Sequence, residues 1–296
     1  MSPRRIAALD MGGTNIKACL LENGVPLRRA EIPSQARQGG AHLLDRAAEL
    51  LESFGPFDAV GVSTAGQVDP DRGIIRYAND NIPGYTGTDV KGFFQNRFDV
   101  PVAVVNDVYA VALGEGLRGA ARGERDYLCL TYGTGIGGGV VLGGGLYYGS
   151  GPSAGVMLGG IVTHPEAMRS TDPFSGCYER WASATTLVER GRALDPALNS
   201  GRAIFARLEE PPVRAVVDAW LDEVAVGLCT LVHAFNIPCV VLGGGVMEQP
   251  YAIEGARDRT LAHIIPGFRS PRILGAELGN MAGLYGAAGL AEQLVP

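Results

Sequence analysis

The stretch A-L-D-M-G-G-T-N-I-K-A-C-L-L-E-N-G, residues 8–24, places two glycines and a threonine between two hydrophobic runs. Glycine at the end of a strand lets backbone N–H groups approach an anion, because no Cβ stands in the way. Asn-Gly is a favoured two-residue hairpin turn, so residues 23–24 mark the end of a second strand. The stretch therefore predicts strand, anion-binding turn, strand and hairpin. A Walker A or dinucleotide loop would lead into a helix instead.

A second glycine turn resembles the first. A shift of 121 residues lays L-D-M-G-G-T (9–14) on L-T-Y-G-T-G (130–135), and it also lays Asn23-Gly24 on Gly144-Gly145. Both ends of the unit match under one shift. This weak internal repeat predicts two lobes built on one plan, with glycine turns that face each other across a cleft.

Length and composition limit the class of protein. The 296 residues are enough for a sizeable core, and 46% of them are hydrophobic against 19% charged. A net charge of −6, with scattered arginines, disfavours nucleic-acid binding. The sequence shows no apolar run of the ~18 to 20 residues that a membrane span needs and no signal-peptide core, so we expect a cytoplasmic protein without a membrane partner. Its five cysteines form no C-x-x-C pair and are expected to be reduced.

The rest of the chain alternates predicted helices and strands. We expect helices over 41–54, from about 107 to 121, over 215–236 and over 280–294, and buried strands over 58–63, 101–105 and 239–242. The alternation predicts an α/β fold of mixed sheets covered by helices.

Nine motifs then give the whole chain a resemblance to the ROK sugar kinases, a branch of the actin-like ATPase superfold. They are D-M-G-G-T-N-I-K (10–17), G-V-S-T-A-G-Q-V-D (61–69), N-I-P-G-Y (81–85), N-D-V-Y-A-V-A-L-G-E (106–115), T-Y-G-T-G-I-G-G-G-V (131–140), S-A-G (153–155), G-C-Y-E-R-W-A-S (176–183), V-L-G-G-G-V (241–246) and L-G-N-M-A-G-L-Y-G-A-A (278–288). The resemblance implies a two-lobed, ribonuclease H-like fold with ATP and a sugar in an interlobe cleft. Residues 1–113 with 281–296 would form the small N-terminal lobe, and 114–280 the large C-terminal lobe.

The activity that the resemblance implies is ATP-dependent phosphorylation of a hydroxyl on a hexose or hexose derivative, with Mg²⁺ shielding the ATP phosphates. The residues that it places at the nucleotide are Asp10, Gly12, Gly13, Thr14, Lys17, Gly133, Thr134, Gly135, Gly243, Gly244 and Gly245. Asp10 would contact the cation through water, and no direct protein ligand to the metal is predicted. Structural glycine hairpins are the alternative for both turns, and a solvated lysine is the alternative for Lys17.

Asp107 is the predicted general base. It follows the buried run P-V-A-V-V-N and begins a predicted helix, which puts a carboxylate at the end of a strand where α/β proteins often bind ligands. The residue types alone leave an N-cap role open, which contributes ~1 kcal/mol. The resemblance to the family's N-D motif favours catalysis, with Asn106 orienting the sugar.

Three further residues match the family's sugar pocket: Gly66, Asn81 and Glu179. An amide or a carboxylate suits a polyol, because each can hold two hydroxyls at once. Asn81 could instead be a turn residue before Ile82-Pro83-Gly84, and Glu179 a solvated acid at the start of a helix.

The sequence departs from the family at two motifs. Many members carry A-G-E-x-G-H, whose glutamate and histidine touch the sugar, but residues 154–160 read A-G-V-M-L-G-G. The family's zinc loop is reduced to S-G-C-Y-E (175–179), so Cys177 and His164 give two candidate ligands where a structural zinc needs four. We therefore expect no structural zinc. The apolar replacement favours, as a further hypothesis, a less polar sugar such as a β-glucoside.

Two other classes of function are compatible with the resemblance. A catalytically impaired sugar-binding protein with a regulatory role would explain the missing glutamate and histidine, but it would not require Asp107 and both phosphate turns. The family's transcriptional regulators carry an N-terminal helix-turn-helix, for which the first strand, near residue 5, leaves no room. Family habit predicts a homodimer.

Overall fold

The computed structural model describes residues 3–150, 155–268 and 271–295. The strands in these ranges are β1 Arg5–Met11, β2 Asn15–Glu22, β3 Val25–Pro33, β4 Ala59–Thr64, β5 Gln67–Val68, β6 Ile75–Tyr77, β7 Val102–Asn106, β8 Tyr127–Tyr132, β9 Ile136–Leu142, β10 Gly145–Leu146, β11 Cys239–Gly243 and β12 Arg272–Gly275. The α-helices are α1 Gly40–Glu52, α2 Val90–Phe98, α3 Asp107–Arg118, α4 Tyr178–Ala182, α5 Ala184–Leu194, α6 Gly201–Phe205, α7 Pro211–Phe235, α8 Pro250–His263 and α9 Ala282–Glu292.

Two five-stranded sheets share one strand order. The first runs β3-β2-β1-β4-β7 and the second β10-β9-β8-β11-β12, and in each the first strand of the repeat pairs antiparallel with the second and parallel with its other neighbour. The predicted mixed α/β architecture and the internal repeat are both confirmed.

The repeat holds on both sides of the glycine turn. β1 and β8 end at Met11 and Tyr132, and β2 and β9 begin at Asn15 and Ile136, so both pairs keep the offset of 121 residues. The hairpin at the far end lies one residue earlier than predicted. Gly143 and Gly144 have the positive φ values of the turn, because β9 has seven residues where β2 has eight.

The chain divides into two compact units. The first comprises the described residues of Met1–Gly123, Leu146–Val156 and Asn280–Pro296, and the second those of Glu124–Gly145 and Met157–Gly279. This division differs from the predicted one at three places. α3 continues past residue 113 and packs on α9. The described residues of 146–156 belong to the first unit, where the rings of Tyr109 and Tyr148 have centroids 5.6 Å apart. The last segment of this unit begins at Asn280, one residue earlier than predicted.

Helices cover both faces of the first sheet. On one face Leu9 of β1 packs with Leu43 of α1 and Phe94 of α2. On the other, Ala8 of the same strand packs with Leu284 of α9. Successive residues of a strand face opposite sides of a sheet, so Leu9 and Ala8 contact helices on different faces. The buried strands and the closing helix that the sequence predicted are confirmed.

The second unit is organised around α7. This 25-residue helix begins at Pro211, four residues earlier than predicted, because proline fits the first helical turn. Its Trp220 is fully buried, and the ring nitrogen donates to the carbonyl of Ala182 at 2.9 Å. Within the described ranges, no helix has the length and apolar character that a membrane crossing needs.

Close backbone approach fixes α9 against α3 and β4. A Cβ on Gly286 would lie 1.9 Å from the carbonyl oxygen of Ala110, and one on Gly61 would lie 2.1 Å from that of Ala287. These neighbours are backbone atoms, which cannot move aside as a side chain can. α9 therefore packs against the sheet in a single position.

We expect Gly286→Ala to destabilise the protein by about 1–3 kcal/mol, because the new methyl group overpacks a backbone contact. The measurement is urea unfolding. Gly289→Ala, in the same helix, is the matched control. Its Cβ would meet only the terminal methyl of Leu117, a half-exposed side chain, so it should be neutral or stabilising by up to ~1 kcal/mol. Equal stability of the two variants would contradict the packing described here.

Candidate active site

Asp107 lies where β7 passes directly into α3. The N-cap of α3 is Asn106, whose side-chain oxygen accepts from the N–H groups of Val108 at 3.0 Å and Tyr109 at 3.3 Å. The alternative role open to Asp107 in the sequence, N-capping, therefore belongs to its neighbour. Asp107 is the first residue of the helix, and its carboxylate is free to serve another purpose.

The Asp107 carboxylate is partly buried and held by two donors. Its Oδ1 accepts from the Asn106 side-chain amide at 2.8 Å and from the Val108 N–H at 2.9 Å. Burial raises the pKa of Asp107 to about 6, and the nearby Asp10 charge raises it as well, while the two hydrogen bonds lower it. A carboxyl with this pKa is ionised at neutral pH and accepts a proton more readily than an ordinary aspartate.

Asp10 carries a second partly buried carboxylate near the end of β1. It pairs in register with Ser63 of β4, and the serine hydroxyl donates to Asp10 Oδ1 at 2.7 Å. Burial raises its pKa, whereas the Ser63 hydrogen bond and the Lys17 charge lower it. Lys17 pairs in register with Asp10, and its Nζ donates to the side chain of Asn280 at 2.8 Å. Lys17 is thus part of an ordered polar group rather than a freely solvated side chain.

The first glycine turn leaves open space above its backbone. Gly13 and Thr14 are exposed. Neither Gly12 nor Gly13 has a positive φ, and a Cβ on Gly13 would meet no described atom within 4 Å. Neither the backbone conformation nor the packing of the hairpin requires glycine at position 13. A purely structural hairpin, the alternative considered above, therefore does not explain this residue.

Gly66 and Asn81 have different surroundings. The carbonyl of Gly66 accepts from the Asn106 side-chain amide at 2.9 Å, which links its loop to the start of α3. Its φ of +98° suits glycine, and a Cβ would lie 2.9 Å from the carbonyl oxygen of Tyr77. Asn81 is exposed and lies within 3.5 Å of the Arg37 guanidinium. None of the described hydrogen bonds joins Asn81 to Asp107 or Asn106.

The second glycine turn is packed against Glu179. The Glu179 carboxylate lies 3.4 Å from the N–H of Ile136, and a Cβ on Gly135 would lie 2.6 Å from its Oε2. Glycine at 135 therefore makes room for that carboxylate, and the turn and the predicted sugar contact form one local group. Gly133 and Thr134 are exposed, and a Cβ on Gly133 would meet no described atom within 4 Å.

A groove of about 370 Å³ borders the second turn. Besides Gly133 and Thr134 it is lined from α5, by Ala184, Thr185, Val188, Glu189 and Arg192. The N–H of Ala184 donates to the carbonyl of Gly133 at 3.1 Å, so the start of the helix is fixed to the turn. No sequence motif pointed to the α5 side of this groove.

The three glycines of the L-G-G-G stretch differ in their surroundings. Gly244 has a φ of +100°, and a Cβ there would lie 2.2 Å from the carbonyl oxygen of Tyr132, so this glycine serves the fold. A Cβ on Gly245 would meet no described atom within 4 Å, and Gly243 has room for ordinary contact.

The residues considered for a zinc site make other contacts. The His164 ring stacks on Trp181 with centroids 3.8 Å apart, and its Nε2 lies 3.4 Å from the Glu223 carboxylate. Cys177 Sγ lies 3.2 Å from the carbonyl oxygen of Gly160. Across the described ranges, no group of three or more His, Cys, Asp or Glu side chains is placed to hold a metal ion. The expectation of no zinc stays a prediction.

The A-G-V-M-L-G-G stretch is described from residue 155 onward, so Ser153 and Ala154 of the preceding motif lie outside the described residues. The Tyr109 hydroxyl accepts from the N–H of Val156 at 2.6 Å and lies 3.3 Å from its carbonyl oxygen. Val156 and Met157 are the two candidates for the position of the missing glutamate, and the backbone of Val156 is thereby tied to α3, two residues after Asp107.

Comparison with known proteins places the chain in a family. It is 30% identical to a beta-glucoside kinase from Listeria monocytogenes, over 96% of both sequences. The structure of a ROK hexokinase from Thermus thermophilus matches with 32% identity and a TM-score of 0.84, over 98% of both chains. A ROK family glucokinase from Streptomyces griseus, solved with glucose and AMPPNP, matches with 28% identity and a TM-score of 0.82, over 98% of this chain and 99% of that one.

These matches confirm the actin-like ATPase fold that the motifs predicted. The profile of the ROK family matches residues 6–294, almost the whole chain. The chain therefore belongs to the ROK family.

Proposed function

We propose that this chain is an ATP-dependent sugar kinase, which transfers the γ-phosphoryl group of ATP to a hydroxyl of a hexose or hexose derivative. The observation that carries the proposal is the partly buried Asp107 carboxylate at the carboxyl end of β7, held in place by the Asn106 amide and the Val108 N–H. A hexokinase, a glucokinase and a beta-glucoside kinase among the relatives support this assignment.

Asp107 acts as the general base. Its carboxylate accepts the proton of the sugar hydroxyl as that oxygen bonds to the γ-phosphorus and the bond from phosphorus to the β–γ bridging oxygen breaks. The products are ADP and a sugar phosphate ester. Asn106 uses both amide hydrogens and its oxygen within the protein, so it acts on the sugar by holding Asp107 and the carbonyl of Gly66.

The two glycine turns contact the phosphates of ATP. Gly12, Gly13 and Thr14 offer backbone N–H groups and a hydroxyl to the phosphate being transferred, because the space above this turn is open. Gly133 and Thr134 take the remaining phosphates, and the start of α5 adds a favourable helix dipole. The groove along α5 then accommodates the rest of the nucleotide, with Gly243 and Gly245 as further nucleotide contacts.

Asp10 fits the role of a water-mediated contact to Mg²⁺. A carboxylate is the type of ligand that this hard cation prefers, and Lys17 balances its charge in the polar group at the end of β1. When bound, the cation shields the charge of the ATP phosphates. Asn81 and Glu179 are the proposed contacts to the sugar hydroxyls. We further propose that the protein works as a homodimer in the cytoplasm.

Asp107→Asn tests the kinase assignment. The amide keeps the hydrogen bond from the Val108 N–H but cannot take a proton, so we expect kcat to fall by about 10²- to 10⁴-fold with sugar and AMPPNP binding retained. ATP turnover across a panel of sugars measures kcat, and calorimetry measures the binding of sugar and AMPPNP. Asp45→Asn, on the exposed face of α1, is the control and should leave both unchanged.

Full activity of Asp107→Asn would show that Asp107 is not the general base. A wild-type protein that binds a sugar without sugar-stimulated ATP turnover would favour the alternative, a sugar-binding member of the family without kinase activity.

Val156 tests the finer proposal of a β-glucoside substrate. An apolar residue stands where many relatives have a sugar-binding glutamate, so we expect kcat/KM for an aryl β-glucoside to equal or exceed that for glucose. Val156→Glu should shift the preference toward glucose, and Val156→Leu should not. A kcat/KM for glucose far above that for every aryl or disaccharide glucoside would overturn the β-glucoside proposal while leaving the kinase assignment intact.

A further inference from the structure

A second cavity, of about 790 Å³, lies in the first unit at the opposite end of α3 from Asp107. Arg118, the last residue of α3, and Arg122, just after it, line one side. α3 rises 1.5 Å per residue, so Arg118 lies about 16 Å along the helix from Asp107. The cavity is therefore separate from the proposed catalytic group.

The charge of this cavity has the opposite sign to that of the whole chain. Among the described residues, its lining includes the guanidinium groups of Arg118 and Arg122 and a single carboxylate, Glu292, whereas the chain carries a net charge of −6. The guanidinium groups of Arg118 and Arg122 form no ion pair or hydrogen bond with any of the described residues. Two guanidinium groups with no anionic partner in this part of the chain can bind an anionic ligand.

The fold holds the Arg118 side chain in place and fixes the turn that carries Arg122. Arg118 lies over the ring of Tyr285, with its guanidinium carbon 5.0 Å from the centroid. A Cβ on Gly24 would lie 2.1 Å from Arg118 Nη2, so the glycine of the first hairpin provides the space for this group. The turn that presents Arg122 is fixed by Glu115, a fully buried residue whose carboxylate accepts from the N–H of Ala120 at 2.9 Å.

The other part of the cavity is apolar. Ile6 of β1 and Leu21 of β2 are buried beneath it, and Ala288 and Tyr285 contribute from α9. A free phosphate ion would have no use for this surface, but an organic group would. The volume is that of an ordinary small-molecule site.

We propose that this cavity binds a small organic phosphomonoester. The guanidinium groups of Arg118 and Arg122 hold the phosphate, as planar donors that match two of its oxygens. The organic part lies on the apolar floor formed by Ile6, Leu21 and Ala288.

Calorimetric titration with phenyl phosphate tests the proposal, because this probe joins a phosphate to an apolar body and does not resemble a sugar. The protein is first saturated with AMPPNP and Mg²⁺, which occupies the proposed nucleotide site. We expect one phenyl phosphate to bind per chain. The double variant Arg118→Gln/Arg122→Gln should weaken binding by roughly tenfold or more, since two charge-assisted contacts are lost. Inorganic phosphate should bind more weakly than phenyl phosphate.

Arg97→Gln is the matched control, because Arg97 is an exposed arginine of the same unit that pairs with Glu52 outside the cavity. It should bind phenyl phosphate like the wild type, and Arg118→Lys/Arg122→Lys should retain part of the affinity. If urea unfolding shows that Arg118→Gln/Arg122→Gln does not fold, Arg122→Gln alone should still weaken the binding of phenyl phosphate. That single variant removes the charge without touching the Tyr285 contact.

Three results would overturn the proposal. Unchanged affinity in every folded glutamine variant would exclude the two arginines. Loss of all phenyl phosphate binding on AMPPNP saturation would assign the ligand to the nucleotide site. Equal affinity for inorganic phosphate and phenyl phosphate would mean that the apolar floor contributes nothing and that the site takes the free ion.

Discussion

The candidate active site depends on the hydrogen bonds of the Asn106 side chain. This side chain caps α3, donates to Gly66 and donates to Asp107, so one residue joins the loop after β4, the end of β7 and the start of α3. Because the Asn106 side-chain oxygen is the N-cap, the carboxylate beside it has a different position, where it accepts from the Asn106 amide and the Val108 N–H. Desolvation then disfavours the charge of Asp107, and hydrogen bonds offset part of that cost. The result is a carboxylate whose pKa is raised by its surroundings.

The internal repeat explains why a glycine turn lies at equivalent strand ends in both units. Each sheet has the same order, and each glycine turn connects the first strand of the repeat to the second at equivalent positions. The two turns have diverged in what surrounds them. Gly13 is bordered by open space, whereas Gly135 makes room for Glu179. A common backbone plan thus supplies both glycine turns, and the neighbouring side chains make their surroundings different.

The sequence predicted those features that depend on local pattern. Period-two hydrophobicity and glycine turns located β1, β2, β8 and β9, and the 121-residue offset proved correct at both sides of the turn. The sequence could not identify the N-cap of α3, because Asn106 and Asp107 are both good N-cap residues one position apart. Contacts over long separations were also out of reach. Lys17 meets Asn280 across 263 positions, although Asn280 does lie in the L-G-N-M-A-G motif. The α5 side of the groove has the pattern of any surface helix.

The glycines show the same limit most clearly. In the sequence Gly13 and Gly244 are both members of a glycine-rich turn after a strand. The structure separates them, because a Cβ on Gly244 would strike the backbone of Tyr132 while Gly13 has open space. Composition alone cannot tell a glycine kept for packing from one kept for a ligand.

The pH dependence of kcat/KM for the best sugar acceptor tests the central claim most directly. A base with its pKa raised to about 6 works only when deprotonated, so kcat/KM should rise with pH through about 6 with a slope of one and then level off. Asp10→Asn removes a neighbouring negative charge, so it should move this limb to lower pH in whatever activity remains. A kcat/KM that is constant from about pH 5 to pH 7.5 would contradict the account, because an Asp107 with its pKa raised to about 6 could not then be the proton acceptor.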